Sequence, residues 1–81
     1  MQVTVLFFAS VAEAAGTRRL EFPLHDGETV AAVRDRLVEQ LPALKRFVPN
    51  LMYAVNEEYV RETDMVPGGA TLALIPPVSG G

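Results

Sequence analysis

An α+β fold is predicted for this 81-residue chain: a mixed, curved sheet of four to five strands packed on one main helix. Three observations predict it. The most apolar runs lie near the two ends, at residues 3–9 and 70–75. One long stripe of Val30, Val33, Leu37 and Leu41, at three- and four-residue steps, marks a single substantial helix. The segments read strand, strand, helix, strand, short strand, strand, with no internal repeat and no linker. One such helix covers only one face of a sheet of this size.

Residues 2–8 are β-branched and aromatic, with Val3, Val5 and Phe7 on one side and Thr4, Leu6 and Phe8 on the other. The weak polar alternation predicts a central strand with both faces partly covered. Ser10 offers an N-cap for a short helical turn over 11–15, and Gly16 offers its stop. Residues 17–24 alternate, with Leu20, Phe22 and Leu24 inward and Arg19 and Glu21 outward, as in a half-buried strand. His25-Asp26-Gly27 is turn chemistry, Thr29 caps the main helix and Pro42 ends it. Arg34, Asp35, Arg36 and Glu39 are expected on its wet side, and residues 44–49 as a connector with Lys45 and Arg46 exposed. A third strand at 51–55 turns through Asn56-Glu57-Glu58 into a short fourth around Tyr59-Val60, and Pro67-Gly68-Gly69 delivers the last strand.

Composition excludes several functions. At this length the chain forms one domain, expected over residues 1–75, with 76–81 as an extended, flexible tail. There is no cysteine and one histidine, which removes disulfides, thiolate nucleophiles and a histidine metal cluster. A net charge of −3 argues against nucleic acid as partner. The apolar runs are too short to span a membrane, and no basic stretch precedes the first, so neither a membrane anchor nor a signal peptide is expected. A cytoplasmic protein that works through its surface or an end fits these bounds.

The economical arrangement wraps the sheet around the helix with the first and last strands parallel at its centre, the β-grasp or ubiquitin-like architecture. One sheet face then lacks a helix, and alternation places Leu6, Phe8, Tyr59, Ala73 and Ile75 on or near it. A contiguous exposed apolar patch of this kind marks a partner site. The ordinary alternative tucks Leu6 and Ile75 under the connector after the helix.

After Ile75 the chain reads Pro76-Pro77-Val78-Ser79-Gly80-Gly81. Two prolines end the sheet ladder and keep the backbone extended. Six residues reach about 20 Å at ~3.3 Å each. A glycine carboxylate has no Cβ beside it, so it can thread a narrow channel. Ionised, with a pKa of ~3.5, it is a poor acyl donor and must first be activated. A bare terminal Gly-Gly is common in frayed ends; after Pro-Pro and a central strand it points to a reactive handle.

These features together resemble the small, sulfur-carrying subunit of molybdopterin synthase (the MoaD family). The opening Val5-Leu6-Phe7-Phe8-Ala9 with Glu13 and Gly16, then Val55-Asn56, and above all Pro76 to Gly81 carry the resemblance, which spans the chain. It implies that Gly81 is adenylated by a ubiquitin-activating-like adenylyltransferase using ATP, with no cofactor bound by this chain, and converted to a thiocarboxylate with sulfur from a donor protein. It further implies that Pro76, Pro77, Val78, Ser79 and Gly80 insert into the synthase large subunit, in a heterotetramer of two small and two large subunits. There the sulfur passes to a pyranopterin precursor, forming the dithiolene of the molybdenum cofactor. The resemblance also implies that Phe8, Tyr59 and Ile75 face partners and that the chain is a co-substrate, not the catalyst. Two departures stand out: Ala12 where the family often has arginine, and Pro67-Gly68-Gly69-Ala70 where it has an acidic turn.

His25 beside Asp26 has no nucleophile or cleft in company, so it reads as a solvated turn. Glu57-Glu58 and Glu62-Asp64 could steer a basic partner, though solvated hairpin charges are the commoner case. Lys45 is the sole lysine, which leaves little provision for self-conjugation. The competing functions are a carrier for another sulfur pathway, such as thiamine thiazole formation, a ubiquitin-like protein modifier, and a plain interaction domain.

Overall fold

The computed structural model describes residues 1–77. The elements run β1 (Gln2–Phe7), α1 (Ala9–Ala15), β2 (Arg19–Pro23), α2 (Val30–Gln40), a 3-10 helix (Pro42–Asn50), β3 (Met52–Val55), β4 (Glu58–Val60) and β5 (Thr71–Ile75). The five strands form one mixed sheet in the order β2-β1-β5-β3-β4. β1 and β5 pair in parallel, with Val5 opposite Leu72 and Phe7 opposite Leu74, while the remaining pairs are antiparallel. The expected β-grasp order and central parallel pair are therefore present.

The core lies between this sheet and α2. Val3, Val5 and Phe7 from β1, Leu72 and Leu74 from β5, and Val30, Val33 and Leu37 from α2 are all buried. Among the described residues no polar or charged residue is buried with them. The helix stripe thus does what its spacing dictates. Thr29 caps α2, its Oγ1 accepting from the Ala32 N–H at 3.2 Å. Two more donors of the first turn are met by backbone: the Val30 and Ala31 N–H groups donate to the Asp64 and Glu62 carbonyls, both at 2.9 Å. Segment 61–66 is thereby strapped beneath the helix start, and the helix N-terminus offers little to an anion.

Three local expectations are corrected. Ser10 is not an N-cap. β1 leaves the sheet through Ala9 at φ 49, so α1 begins there, and the Phe8 carbonyl accepts from Val11 (3.0 Å) and Ala12 (3.3 Å). Gly16 does close α1, at φ 76. The connector is a nine-residue 3-10 helix in which Leu44 is buried and Phe47 packs on the core. Leu41, Leu44 and Phe47 recur every three residues, the period of that helix. Because it covers the helix-side core, it does not shelter the open face.

The third correction concerns Arg34 and Arg36, which are not on a wet side. Arg34 Nη1 donates to the Tyr53 hydroxyl (3.2 Å) and to Glu62 (2.7 Å). Burial opposes its charge, but those bonds and one to Asp35 hold its pKa above the ordinary arginine value. Arg36 lies 4.7 Å over the Phe22 ring, donates to the Pro23 carbonyl at 2.7 Å and forks onto the Glu28 carboxylate. Long arginine stems bury while their heads find carboxylates, which the charge pattern alone does not reveal.

The Arg36 hydrogen bond holds the Glu28 carboxyl below the usual carboxylate range, against the opposing effect of burial, and the His25 N–H adds to it at 2.8 Å. A depressed folded pKa contributes stability that is present above the ordinary value of 4.5 and lost as pH falls through the folded one. Arg36→Gln is accordingly expected to lower the unfolding midpoint more at about pH 7 than in acid, the difference shrinking as pH falls through the lowered Glu28 pKa. Thermal unfolding followed by circular dichroism over a descending pH series measures this.

Candidate functional site

The face of the sheet turned away from α2 is organised by register. Leu6 on β1 stands opposite Ala73 on β5, Ala73 opposite Ala54 on β3, and Ala54 opposite Tyr59 on β4. Two alanines thus form a floor between a leucine and a tyrosine. The result is a shallow apolar slot of about 270 Å³, rimmed by Phe8, Glu57, Thr71 and Ile75 as well. Phe8 and Tyr59 are large apolar groups left in water, at 45% and 69% exposure. Met52, opposite Ile75 and also exposed, adds to the patch.

The same face turns polar at β2. Glu21, opposite Thr4, accepts from its hydroxyl at 2.9 Å and pairs with Arg19 at 3.2 Å. An apolar centre with a charged border is the anatomy of a docking surface.

Beyond Phe8 lies a second, open groove of about 910 Å³ between the end of β1, α1 and the start of β2. Leu6 and Phe8 line both hollows, so Phe8 is the ridge between them. Ala12, the position that departs from the resembled pattern, lines this groove with Glu13 and Arg18. The other departure, at Pro67-Gly68-Gly69, still makes its turn, Gly69 at φ 78 donating to the Gln2 carbonyl at 2.8 Å.

The parallel pairing sets where the tail starts. Phe7 is level with Leu74, so Ile75 and the half-buried Pro76 leave the sheet at the Phe8 end of the open face. The sequence-expected surface residues Phe8, Tyr59 and Ile75 are therefore brought together with the root of the tail. Pro77 is exposed. Val78, Ser79, Gly80 and Gly81 lie outside the described residues. His25 is exposed in its turn, 4.0 Å from Glu28, and does not line the slot. Among the described residues no group of three histidine or acidic side chains is placed to hold a metal, and no helix is long and apolar enough to cross a membrane. Ala54 and Thr71 were not singled out from sequence, and strand register identifies them; of the hairpin acids that could steer a basic partner, Glu57 is the one on the rim of the slot.

Adjacent phenylalanines separate core from surface. Phe7→Asp is expected to cost more than ~4 kcal/mol and unfold the chain, because it puts a carboxylate in the core. Phe8→Asp is expected to cost less than ~1 kcal/mol, because its half-exposed site stays wet. Urea denaturation of both variants provides the comparison.

The comparisons with known proteins agree with this geometry. Residues 5–81 match the family model described as the ThiS family. A molybdopterin synthase sulfur carrier subunit of Chlamydomonas reinhardtii is 37% identical over 83 residues, covering 100% of both chains. Its counterpart in Arabidopsis thaliana is 35% identical, covering 100% of this chain and 84% of that one. The crystal structure of SAMP1, the small archaeal modifier protein 1 of Haloferax volcanii, superposes with a TM-score of 0.88 at 31% identity, covering 100% of each chain. With the ubiquitin-like sheet order, the open face beside the tail root and these end-to-end matches in agreement, this chain belongs to the ThiS family.

Proposed function

We propose that this chain is the sulfur carrier subunit of molybdopterin synthase. The observation that carries the reading is the full-length match to a protein of that name, 37% identical with nothing left over on either side. The surface geometry supports it, since a docking face beside the root of a slender C-terminal segment is what a carrier requires.

The chemistry follows from the terminal group. The Gly81 carboxylate attacks the α-phosphate of ATP on a ubiquitin-activating-like adenylyltransferase, releasing pyrophosphate and leaving an acyl-adenylate. Sulfide-level sulfur supplied by a donor protein attacks the acyl carbon, the acyl–phosphate C–O bond breaks and AMP leaves, and the terminus becomes a thiocarboxylate. Pro76 to Gly80 then enter the large synthase subunit, while Phe8, Tyr59 and Ile75 seat the folded body against it. The thiocarboxylate sulfur bonds to a carbon of the pyranopterin precursor as an oxygen substituent leaves that carbon. Water then cleaves the acyl C–S bond of the resulting thioester, leaving sulfur on the pterin and restoring the carboxylate. Two such transfers complete one dithiolene, in a heterotetramer of two carriers and two large subunits. The carrier is consumed and regenerated as a co-substrate, in the cytoplasm, and lends no catalytic side chain.

A second reading, that the chain is attached to lysines of other proteins, is favoured by its likeness to the archaeal modifier. Covalent high-mass adducts on a denaturing gel would support that reading over the first.

Removing Gly81 is expected to abolish sulfur transfer in a reconstituted system of activating enzyme, sulfur donor and large subunit, with the unfolding midpoint unchanged. Molybdopterin formation by the truncated chain would contradict the proposal. Phe8→Asp is expected to weaken binding to the large subunit by about tenfold or more, ~1.4 kcal/mol, measured by calorimetric titration.

A further inference from the structure

Among the described residues the positive-φ positions other than glycine are Ala9 at φ 49, Asn56 at φ 50 and Glu57 at φ 71, of which Glu57 lines the slot of the open face. Asn56 and Glu57 are the two central residues of the β3–β4 hairpin, between Val55 and Glu58. Two consecutive positive φ values are the signature of a type I′ turn, for which the favoured pair is Asn-Gly. Asparagine tolerates this conformation, and here Asn56 is also fastened in place, its N–H donating to the Thr71 carbonyl at 2.9 Å and its Oδ1 accepting from the Thr71 N–H at 3.0 Å. Glutamate has no such excuse. Its Cβ makes the left-handed conformation unfavourable, and glycine would serve the turn better.

The side chain that occupies this strained position lies on the rim of the apolar slot, with Tyr59, Leu6 and Ile75. Glu58, one residue on, does not line it. Among the described residues no ion pair engages the Glu57 carboxylate, whereas the acids Glu21, Glu28, Asp35 and Glu62 are all paired. Backbone strain retained around a ligand-facing side chain is the pattern of a functional contact.

We propose that Glu57 determines partner specificity: its carboxylate receives a lysine or arginine of the docking protein, next to the apolar side chain that fills the slot. This rests on the reading that the open face seats the large synthase subunit. The cation is drawn to Glu57, the one acid among the residues that line the slot, and the pair is shielded from water once the slot is filled.

The test uses the full chain and the large subunit, with affinities at 50 mM and 500 mM NaCl and unfolding midpoints of the free chain. Glu57→Gln is expected to bind about tenfold more weakly at the lower salt, with the gap narrowing at the higher salt. Glu57→Lys is expected to lose more. Glu57→Gly is expected to raise the midpoint by a few degrees while binding as weakly as the glutamine variant, so that stability and affinity move in opposite directions. Unchanged affinity of Glu57→Gln, with the parent chain binding normally, overturns the Glu57 proposal and leaves the carrier reading standing. A lowered midpoint for Glu57→Gly removes its premise of strain. Failure of the parent chain to bind the large subunit at all counts against the carrier reading itself, and against Glu57 with it.

Discussion

The parallel pairing of β1 with β5 is the constraint on which the rest depends. Parallel strands cannot be joined by a tight turn, so everything between them must cross over, and α2 makes that crossing on one face. The sheet is then covered on one side only. The same pairing puts the end of β5 level with the end of β1, so the chain leaves the sheet beside Phe8. Covered core, open face and tail root are consequences of one arrangement.

The two sides of the sheet solve different problems. The helix side is closed by aliphatic packing and braced at its margin by Arg34 and Arg36, which tie α2 to β3, to segment 61–66 and to the end of β2. With stability secured there, the other side can leave phenylalanine and tyrosine in water. Its slot is a product of register: two small residues face each other across β5 and β3 while larger ones flank them. A substitution that enlarged Ala54 or Ala73 would flatten this surface without touching the helix.

Much of this was legible in the amino-acid sequence because period and position carry it. The Val30, Val33, Leu37 stripe, the Gly16 stop, the Thr29 cap and the apolar end strands each state a local rule that the fold obeys. What was missed depends on tertiary context. Ser10 has capping chemistry, but the path of the chain through Ala9 starts α1 too early for it. Arg34 and Arg36 look solvated on a helical projection, and only the approach of Tyr53, Glu62 and Glu28 shows otherwise. Phe8, Tyr59 and Ile75 were found by alternation. Ala54 needed the pairing of strands distant in sequence, and Glu57, one of several hairpin acids in the sequence, is distinguished only by its place on the slot. The segment after Pro42 reads as a plain connector, and its three-residue apolar period of Leu41, Leu44 and Phe47 shows only in the 3-10 helix it forms.

Intact-mass measurement of the full chain after incubation with ATP, an activating enzyme and a sulfur source tests the central claim most directly. The account requires a mass increase equal to exchange of one oxygen for sulfur, located by fragmentation at Gly81. A chain whose mass stays unchanged, while an established sulfur carrier is converted alongside it, would contradict the account.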